Sequence, residues 1–145
     1  MRAEAAVAEE ERFHEKMLAL ATAIGLEAGQ LPKAADDSTY DCLWVDVSGR
    51  APHFVYSYRY RERGDVNVLA ESSSSEPVLE RIFADATQSA ATRFELDHRI
   101  VGEDSRRQWF ALQAEMMDRL DPEWGRRMRA KQNITLQTAP FDDKT

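Results

Sequence analysis

The residues with the clearest potential for chemistry lie together in the second half of the chain. Glu95 and Arg99 are four positions apart, and a glutamate placed four residues before an arginine forms a stabilising ion pair on a helix. If two helices form a hairpin here, further arginines come within reach. We therefore expect a structural ion-pair network made of Glu95, Arg99, Arg106 and Arg107.

A catalytic interpretation of the same region is the alternative. His98 follows Asp97 and lies three residues after Glu95, and histidine is the residue type that general acid–base catalysis uses most often. On this interpretation the protein is a small hydrolase or transferase. Its reactive cluster would be His98, Glu95 and Arg107, and an open cleft that holds His98 would favour it.

Other catalytic and metal-binding patterns are missing from the sequence. The three histidines occur in no HxH or HExxH spacing, and the chain has no GxSxG motif and no glycine-rich phosphate loop. Cys42 is the single cysteine, so an internal disulfide is excluded. It lies in a predicted strand, where a free cysteine is typically a small buried hydrophobic residue. We expect no metal and no cofactor.

Charged residues around the predicted strands form the candidate binding surface. These residues are Asp36, Asp37, Asp41, Asp46, Arg59, Arg61, Glu62 and Asp65. Solvated strand edges also carry such charges to discourage aggregation, which is the structural alternative. The net charge of −7 argues against direct nucleic-acid binding, which needs a basic surface, and fits a basic protein partner.

The length and composition are typical of one soluble domain over residues 1–145. Hydrophobic residues make up 43% and charged residues 31%, which is an ordinary globular balance. The N-terminal segment is charged throughout, unlike a signal peptide, and no window approaches 18 consecutive apolar residues. We therefore expect a cytoplasmic protein without membrane contact.

Alternating side chains predict three strands after an N-terminal helix over residues 3–25. The strands are expected at residues 40–47, 54–61 and 66–71. Short connections between them predict an antiparallel meander. The middle strand carries an aromatic row made of Phe54, Tyr56, Tyr58 and Tyr60. We expect helices to cover this row, whereas an uncovered row would favour a ligand-binding regulatory module.

Three helices are predicted after the strands. The first begins near Ser75 and is expected to end near Ile100. Asp104 or Ser105 caps the next helix, and Asp121 starts the last one, which is expected to run to about residue 136. Strands and helices that are segregated along the chain indicate the α+β class. The expected arrangement is an N-terminal helix, a three-stranded antiparallel meander, and three C-terminal helices packed on one face of the sheet.

Several short motifs between residues 54 and 143 occur in a recognisable order. They are the turn Arg61-Glu62-Arg63-Gly64, the helical set Glu95, Arg99, Arg106 and Arg107, the pair Glu123-Trp124, and the closing Pro140-Phe141-Asp142-Asp143. With these motifs the chain resembles immunity protein 63, a family of bacterial immunity proteins from polymorphic toxin systems. The first 50 residues add nothing to the resemblance.

The resemblance implies a protein with no catalysis of its own. Immunity proteins are encoded beside a toxin, bind its C-terminal toxic domain inside the producing cell, and protect that cell in interbacterial competition. Contact-dependent or type VI-like secretion delivers such toxins. The implied partner is therefore the cognate toxin domain, bound one to one by a chain that is a monomer or a weak homodimer. If the toxin is a nuclease or a nucleotide-dependent enzyme with a basic cleft, the carboxylates of the candidate binding surface are expected to mimic its anionic substrate.

Overall fold

The computed structural model describes residues 4–34 and 41–144 of the chain. Over these residues the protein is α+β, with four α-helices, one short 3-10 helix and one mixed four-stranded sheet. The elements in chain order are α1 (Glu4–Ala23), the 3-10 helix (Ala28–Gln30), β1 (Lys33–Ala34), β2 (Cys42–Arg50), β3 (His53–Glu62), β4 (Asp65–Ser72), α2 (Ser75–Asp97), α3 (Ser105–Leu120) and α4 (Pro122–Thr138). The chain divides into two compact units, Met1–Ile82 and Phe83–Thr145.

The sheet has the strand order β1-β2-β3-β4. The expected meander is present as β2, β3 and β4, which pair antiparallel in sequence. The prediction of a three-stranded sheet is wrong, because the sheet has a fourth strand. Strand β1 pairs in parallel with β2, with Lys33 opposite Trp44 and Ala34 opposite Val45. A strand of two residues has no alternation that a sequence pattern can reveal.

A two-residue turn connects β3 to β4. Glu62 and Asp65 form the last pair of the ladder, and Arg63 and Gly64 between them have positive φ angles of 51° and 85°. Positive φ at both central positions is the geometry of a type I′ turn, whose twist matches that of the two strands. The hairpin turn that the sequence indicates at residues 62–65 is therefore confirmed.

Helix α1 covers one face of the sheet in the first unit. Its buried residues Phe13 and Met17 belong to the same core as Val45 and Val47 of β2, and the ring of Phe13 lies 5.7 Å from that of Tyr56. Phe54, Tyr56 and Tyr58 are buried and Tyr60 is half-buried, so the aromatic row is largely covered. The predicted helix arrangement differs here, because the helix that packs on β2 is the N-terminal one.

A buried carboxylate joins α1 to the sheet. Glu10 is only 6% exposed, and its Oε1 accepts the backbone N–H of Val47 at 2.9 Å. The short strand β1 pairs with β2 only at Trp44 and Val45. Beyond that point Glu10 supplies an acceptor to the Val47 N–H of β2, and buried backbone N–H groups are almost always hydrogen-bonded.

The second unit is helical, and α3 packs against α4. Asp104 caps α3 by accepting the N–H of Arg106, and Asp121 caps α4 by accepting the N–H of Glu123, so both predicted caps are confirmed. The rings of Phe83 and Trp124 stack in the core of this unit, 6.3 Å apart. Helix α2 ends at Asp97, three residues before the expected end.

Candidate functional site

The two faces of the sheet differ in chemistry. Val45, Val47 and Tyr56 point towards α1, and successive residues of a strand point to opposite faces. The opposite face of β2, β3 and β4 therefore carries a mostly polar set, which we call the polar face. Its members are Trp44, Asp46, Ser57, Arg59, Arg61, Val66, Val68 and Glu71.

Arg59 occupies the centre of the polar face between two carboxylates. Its Nε lies 3.5 Å from Asp46 Oδ2, and its Nη2 lies 3.8 Å from Glu71 Oε2. Ser57 donates its hydroxyl to Glu71 Oε2 at 2.8 Å, and Trp44 Nε1 donates to Asp46 Oδ2 at 3.3 Å. The buried Nε of Arg59 has no hydrogen-bond partner in the part of the chain that the structure describes. The central guanidinium is therefore held by charge attraction rather than by a bidentate hydrogen bond.

Asp41 and the tip of the β3–β4 hairpin form the second part of the candidate surface. Asp41 Oδ1 accepts the N–H of Arg63 at 2.9 Å and thereby fastens the turn. Glu62 and Asp65 flank the same turn and are exposed. Three of the predicted carboxylates thus come together at the tip. Asp46 lies five residues away from Asp41, roughly 17 Å along an extended chain.

The remaining predicted acidic residues cannot be placed on this surface. Asp36 and Asp37 lie outside the described residues. Arg61 is half-buried on the polar face, where its guanidinium carbon lies 4.5 Å from the centre of the Trp44 ring. The candidate surface therefore has two parts. Arg59 and Arg61 lie with Asp46 on the polar face, and Asp41, Glu62 and Asp65 form the acidic hairpin tip.

The four residues expected in one ion-pair network are divided among separate partners. Arg99 binds Glu95 with two hydrogen bonds, of 3.2 and 2.8 Å, and Glu95 is 4% exposed. The hydrogen bond from Arg99 lowers the pKa of Glu95 below its usual value, although burial opposes this shift. This pair matches the predicted spacing of four residues, and the two following arginines bind elsewhere.

Arg106 and Arg107 fasten the C-terminal segment to the start of α3, an arrangement that we call the C-terminal clasp (Asp104, Arg106, Arg107 and residues 139–143). Arg106 binds Asp104 at 2.9 Å and donates to the carbonyls of Ala139 and Pro140, both at 2.8 Å. Arg107 binds Asp143 at 2.9 Å. Hydrogen bonds from the Arg106 side chain, and from the N–H groups of Asp142 and Arg106, hold the pKa of Asp104 well below its usual value.

The residues of the alternative catalytic cluster each have another partner. His98 is exposed, its Nδ1 lies 2.9 Å from the Phe94 carbonyl oxygen, and its ring stacks on that of Phe94 at 4.0 Å. Glu95 is held by Arg99, and Arg107 by Asp143. Within residues 4–34 and 41–144, no group of three His, Cys, Asp or Glu side chains is placed to hold a metal ion.

Two exposed valines on the polar face were not identified from the sequence as functional residues. Val66 is 47% exposed and Val68 is 51% exposed, both on β4. Alternation placed them on one side of a strand, and valines in that pattern usually mark the buried side. Only the position of β4 at the edge of the sheet shows that they face solvent.

Comparison with known protein families gives one result. A family model described as immunity protein 63 matches residues 52–134, which is more than half of the chain. The match includes β3, β4, α2, α3 and most of α4. It confirms the resemblance that the motifs indicated. Neither the curated proteins nor the solved structures yield a match. Among the helices of the described residues, none is long and apolar enough to cross a membrane.

Proposed function

The chain belongs to the immunity protein 63 family, and we propose that it binds and neutralises the toxic domain of a cognate secreted toxin in the cell that produces both. The family match over residues 52–134 is the observation that carries this proposal. The toxin supplies the chemistry and this chain supplies a complementary surface, so it acts in the cytoplasm without catalysis of its own. Its setting is a polymorphic toxin system that serves interbacterial competition, with delivery by type VI or contact-dependent secretion.

The toxin contacts the polar face and the hairpin tip in this proposal. The proposed contact residues on this surface are Asp41, Asp46, Arg59, Arg61, Glu62 and Asp65. Asp36 and Asp37, which lie outside the described residues, are proposed as further contacts. Two observations support the choice. Strands β3 and β4 lie within the matched region, and all six members of the set that are described are exposed or half-buried.

The charge of the surface indicates how it acts on the toxin. The net charge is −7, and three carboxylates gather at the hairpin tip. If the toxin acts on a nucleic acid or a nucleotide and has a basic cleft, carboxylates placed against that cleft occupy the positions of substrate phosphates. Opposite charges across an interface accelerate association and fix the register of the complex.

A growth experiment tests the proposed function. The toxin to use is the C-terminal domain of the secreted protein encoded beside this chain, expressed inducibly in a bacterial host. We expect the toxin domain alone to arrest growth, and co-expression of the chain to restore it. The two proteins should then purify as a one-to-one complex. A toxin domain from an unrelated system is the control and should remain toxic. Continued growth arrest without a complex would refute the proposal.

A further inference from the structure

Strand β4 forms a long edge of the sheet. It contains eight residues, Asp65–Ser72, and no described strand pairs with its outer side. Natural proteins usually protect such an edge with a very short strand, proline, charged side chains (lysine above all), a β-bulge, or a covering helix or loop. The sequence of β4, Asp-Val-Asn-Val-Leu-Ala-Glu-Ser, contains neither proline nor lysine. The opposite edge of the sheet is the two-residue strand β1.

The half of β4 next to the hairpin tip is the more accessible part. Residues 65–68 are all exposed, whereas Leu69 and Ala70 are half-buried. The carbonyl of Leu69 accepts a hydrogen bond from Arg81 at 3.1 Å, at the irregularity in the β3–β4 ladder. The available edge is therefore the segment Asp65–Val68.

The accessible edge adjoins the polar face. Val66 lies opposite Arg61 and Val68 lies opposite Arg59 in the β3–β4 register. A strand added beside β4 would place its alternate side chains next to the two valines, on the same face as the two arginines. Main-chain hydrogen bonds supply affinity in such strand addition, and alternate side chains supply specificity.

The charges of β4 select the kind of strand that fits. Its ionisable residues are Asp65 and Glu71, both acidic, and Glu62 lies beside the turn. Two copies of β4 side by side would bring four carboxylates together without a cation on either strand, so a second copy of this chain is disfavoured. A strand with apolar residues at alternate positions and Lys or Arg at the end that meets the hairpin tip would match both the valines and the carboxylates of Asp65 and Glu62.

From these observations, and resting on the proposed function, we propose that an extended segment of the toxin domain, apolar at alternate positions and with a basic residue at the end that meets the hairpin tip, adds to β4 along Asp65–Val68 as a fifth strand of the sheet. The segment contacts Val66 and Val68 with its apolar side chains. Its basic residue lies near Asp65 and Glu62 at the hairpin tip. The polar face and the β4 edge then form one continuous interface.

The test measures binding of the full chain to the toxin domain encoded beside it. The double variant Val66→Lys/Val68→Lys should weaken binding at least ~10-fold, because lysine at both positions blocks and repels a basic strand. The control variant Leu96→Lys/Ile134→Lys introduces the same charges at exposed apolar residues on helices and should change affinity less than ~2-fold. A milder variant, Val66→Thr/Val68→Thr, keeps the preference for strand and should weaken binding to an intermediate extent.

Hydrogen exchange provides an independent measurement. Alternate amides of residues 65–68 point away from β3 to the outer edge, and these amides should exchange more slowly in the toxin complex than in the free chain. Unchanged exchange there, or a lysine variant that binds like the unmodified chain, would overturn the strand addition while the proposed function stands. The free chain could also dimerise through β4. A dimer that the double lysine variant abolishes, but that toxin binding does not disrupt, would assign the β4 edge to a second copy of this chain instead. If the unmodified chain fails to bind the toxin domain, both proposals fall.

Discussion

The guanidinium carbon of Arg61 lies 4.5 Å from the centre of the Trp44 ring on the polar face of the sheet. Trp44 is only 6% exposed, and its indole N–H donates to Asp46. The indole thereby contacts both an arginine and a carboxylate that we propose to meet the toxin. Side chains that are already ordered lose less conformational freedom when a complex forms. Binding of the toxin to the polar face should therefore cost less side-chain entropy at Arg61 and Asp46.

Replacing Arg61 by alanine should lower the stability of the fold. The change removes the cation from the Trp44 ring, a contact worth about 0.5–1 kcal/mol at partly exposed sites. Urea denaturation followed by circular dichroism measures the free energy of unfolding. The control is Arg50→Ala, at an exposed position at the end of β2, for which we expect a change below about 0.5 kcal/mol. Equal effects of the two variants would show that the ring contact contributes nothing.

Charge reversal at Asp41 and Asp46 should slow association with the toxin domain. We expect the association rate constant of Asp41→Lys/Asp46→Lys to fall roughly 10-fold at low salt, and the difference to shrink as salt is added. Stopped-flow or surface-based kinetics provide the measurement. The matched control is Glu11→Lys/Glu115→Lys, which changes the net charge by the same amount at exposed positions on α1 and α3. An unchanged rate constant would remove the idea that these carboxylates mimic a substrate.

Removing the Glu10 carboxylate should destabilise the first unit. Glu10→Ala leaves the Val47 N–H without this acceptor in a buried position, which costs about 1–3 kcal/mol. Glu10→Gln keeps an acceptor oxygen and should cost less. Glu11→Ala, at the exposed neighbouring position of α1, serves as the control for helix propensity. A Glu10→Ala variant as stable as the Glu11→Ala variant would contradict the assigned role.

Stability should depend on pH through His14. Its partial burial lowers the pKa of the imidazole below the usual value, while a hydrogen bond with the Val45 backbone and the charge of Glu10 act in the opposite direction. The folded state therefore binds this proton less readily than the unfolded state does. Stability should fall as the pH decreases below about 6.5, the ordinary histidine pKa, and the loss should be complete below the folded-state pKa.

The measurement for His14 is the urea midpoint between about pH 5 and pH 8, the range around the ordinary histidine pKa. His14→Gln should reduce the slope of stability against pH. His53→Gln, at an exposed position in β3, is the control variant. If the two variants retain the same slope as the unmodified chain, His14 does not account for the pH dependence.

A substitution that weakens the C-terminal clasp should accelerate hydrogen exchange in the C-terminal segment. Asp104→Asn weakens the pair with Arg106 and the bond from the Asp142 N–H, so hydrogen exchange at the Asp142 amide should accelerate. Because the folded-state pKa of Asp104 is lowered, its contribution is present above pH of about 4 and is lost as the pH falls through the folded-state value. Glu103→Gln is the neighbouring control. Exchange at the Asp142 amide that is unaffected by Asp104→Asn would contradict the clasp.

Local patterns in the sequence predicted the parts of the fold that local interactions determine. The alternation in Phe54 to Tyr60 predicted β3, and the caps Asp104 and Asp121 predicted where α3 and α4 begin. Strand β1 was not predicted, because two residues are too few to show an alternation of polar and apolar side chains. The end of α2 was placed at Ile100 because the sequence offers no strong stop signal between Asp97 and Gly102.

The partners of the charged residues could be predicted only where they are close in sequence. Glu95 and Arg99 are four residues apart and form the expected pair. Arg107 instead binds Asp143, 36 residues further along the chain. Such a contact depends on where the C-terminal segment packs. The spacing of residues along the sequence does not predict that position. The exposure of Val66 and Val68 likewise depends on the order of strands in the sheet.

The most direct test of the account is a calorimetric titration of the purified chain into the toxin domain encoded beside it, at high salt. We predict saturation at one chain per toxin domain with a dissociation constant near ~10⁻⁹ M, typical of tight protein complexes. The absence of binding at concentrations of about 10⁻⁵ M, far above that constant, would contradict the account that this chain is a toxin inhibitor.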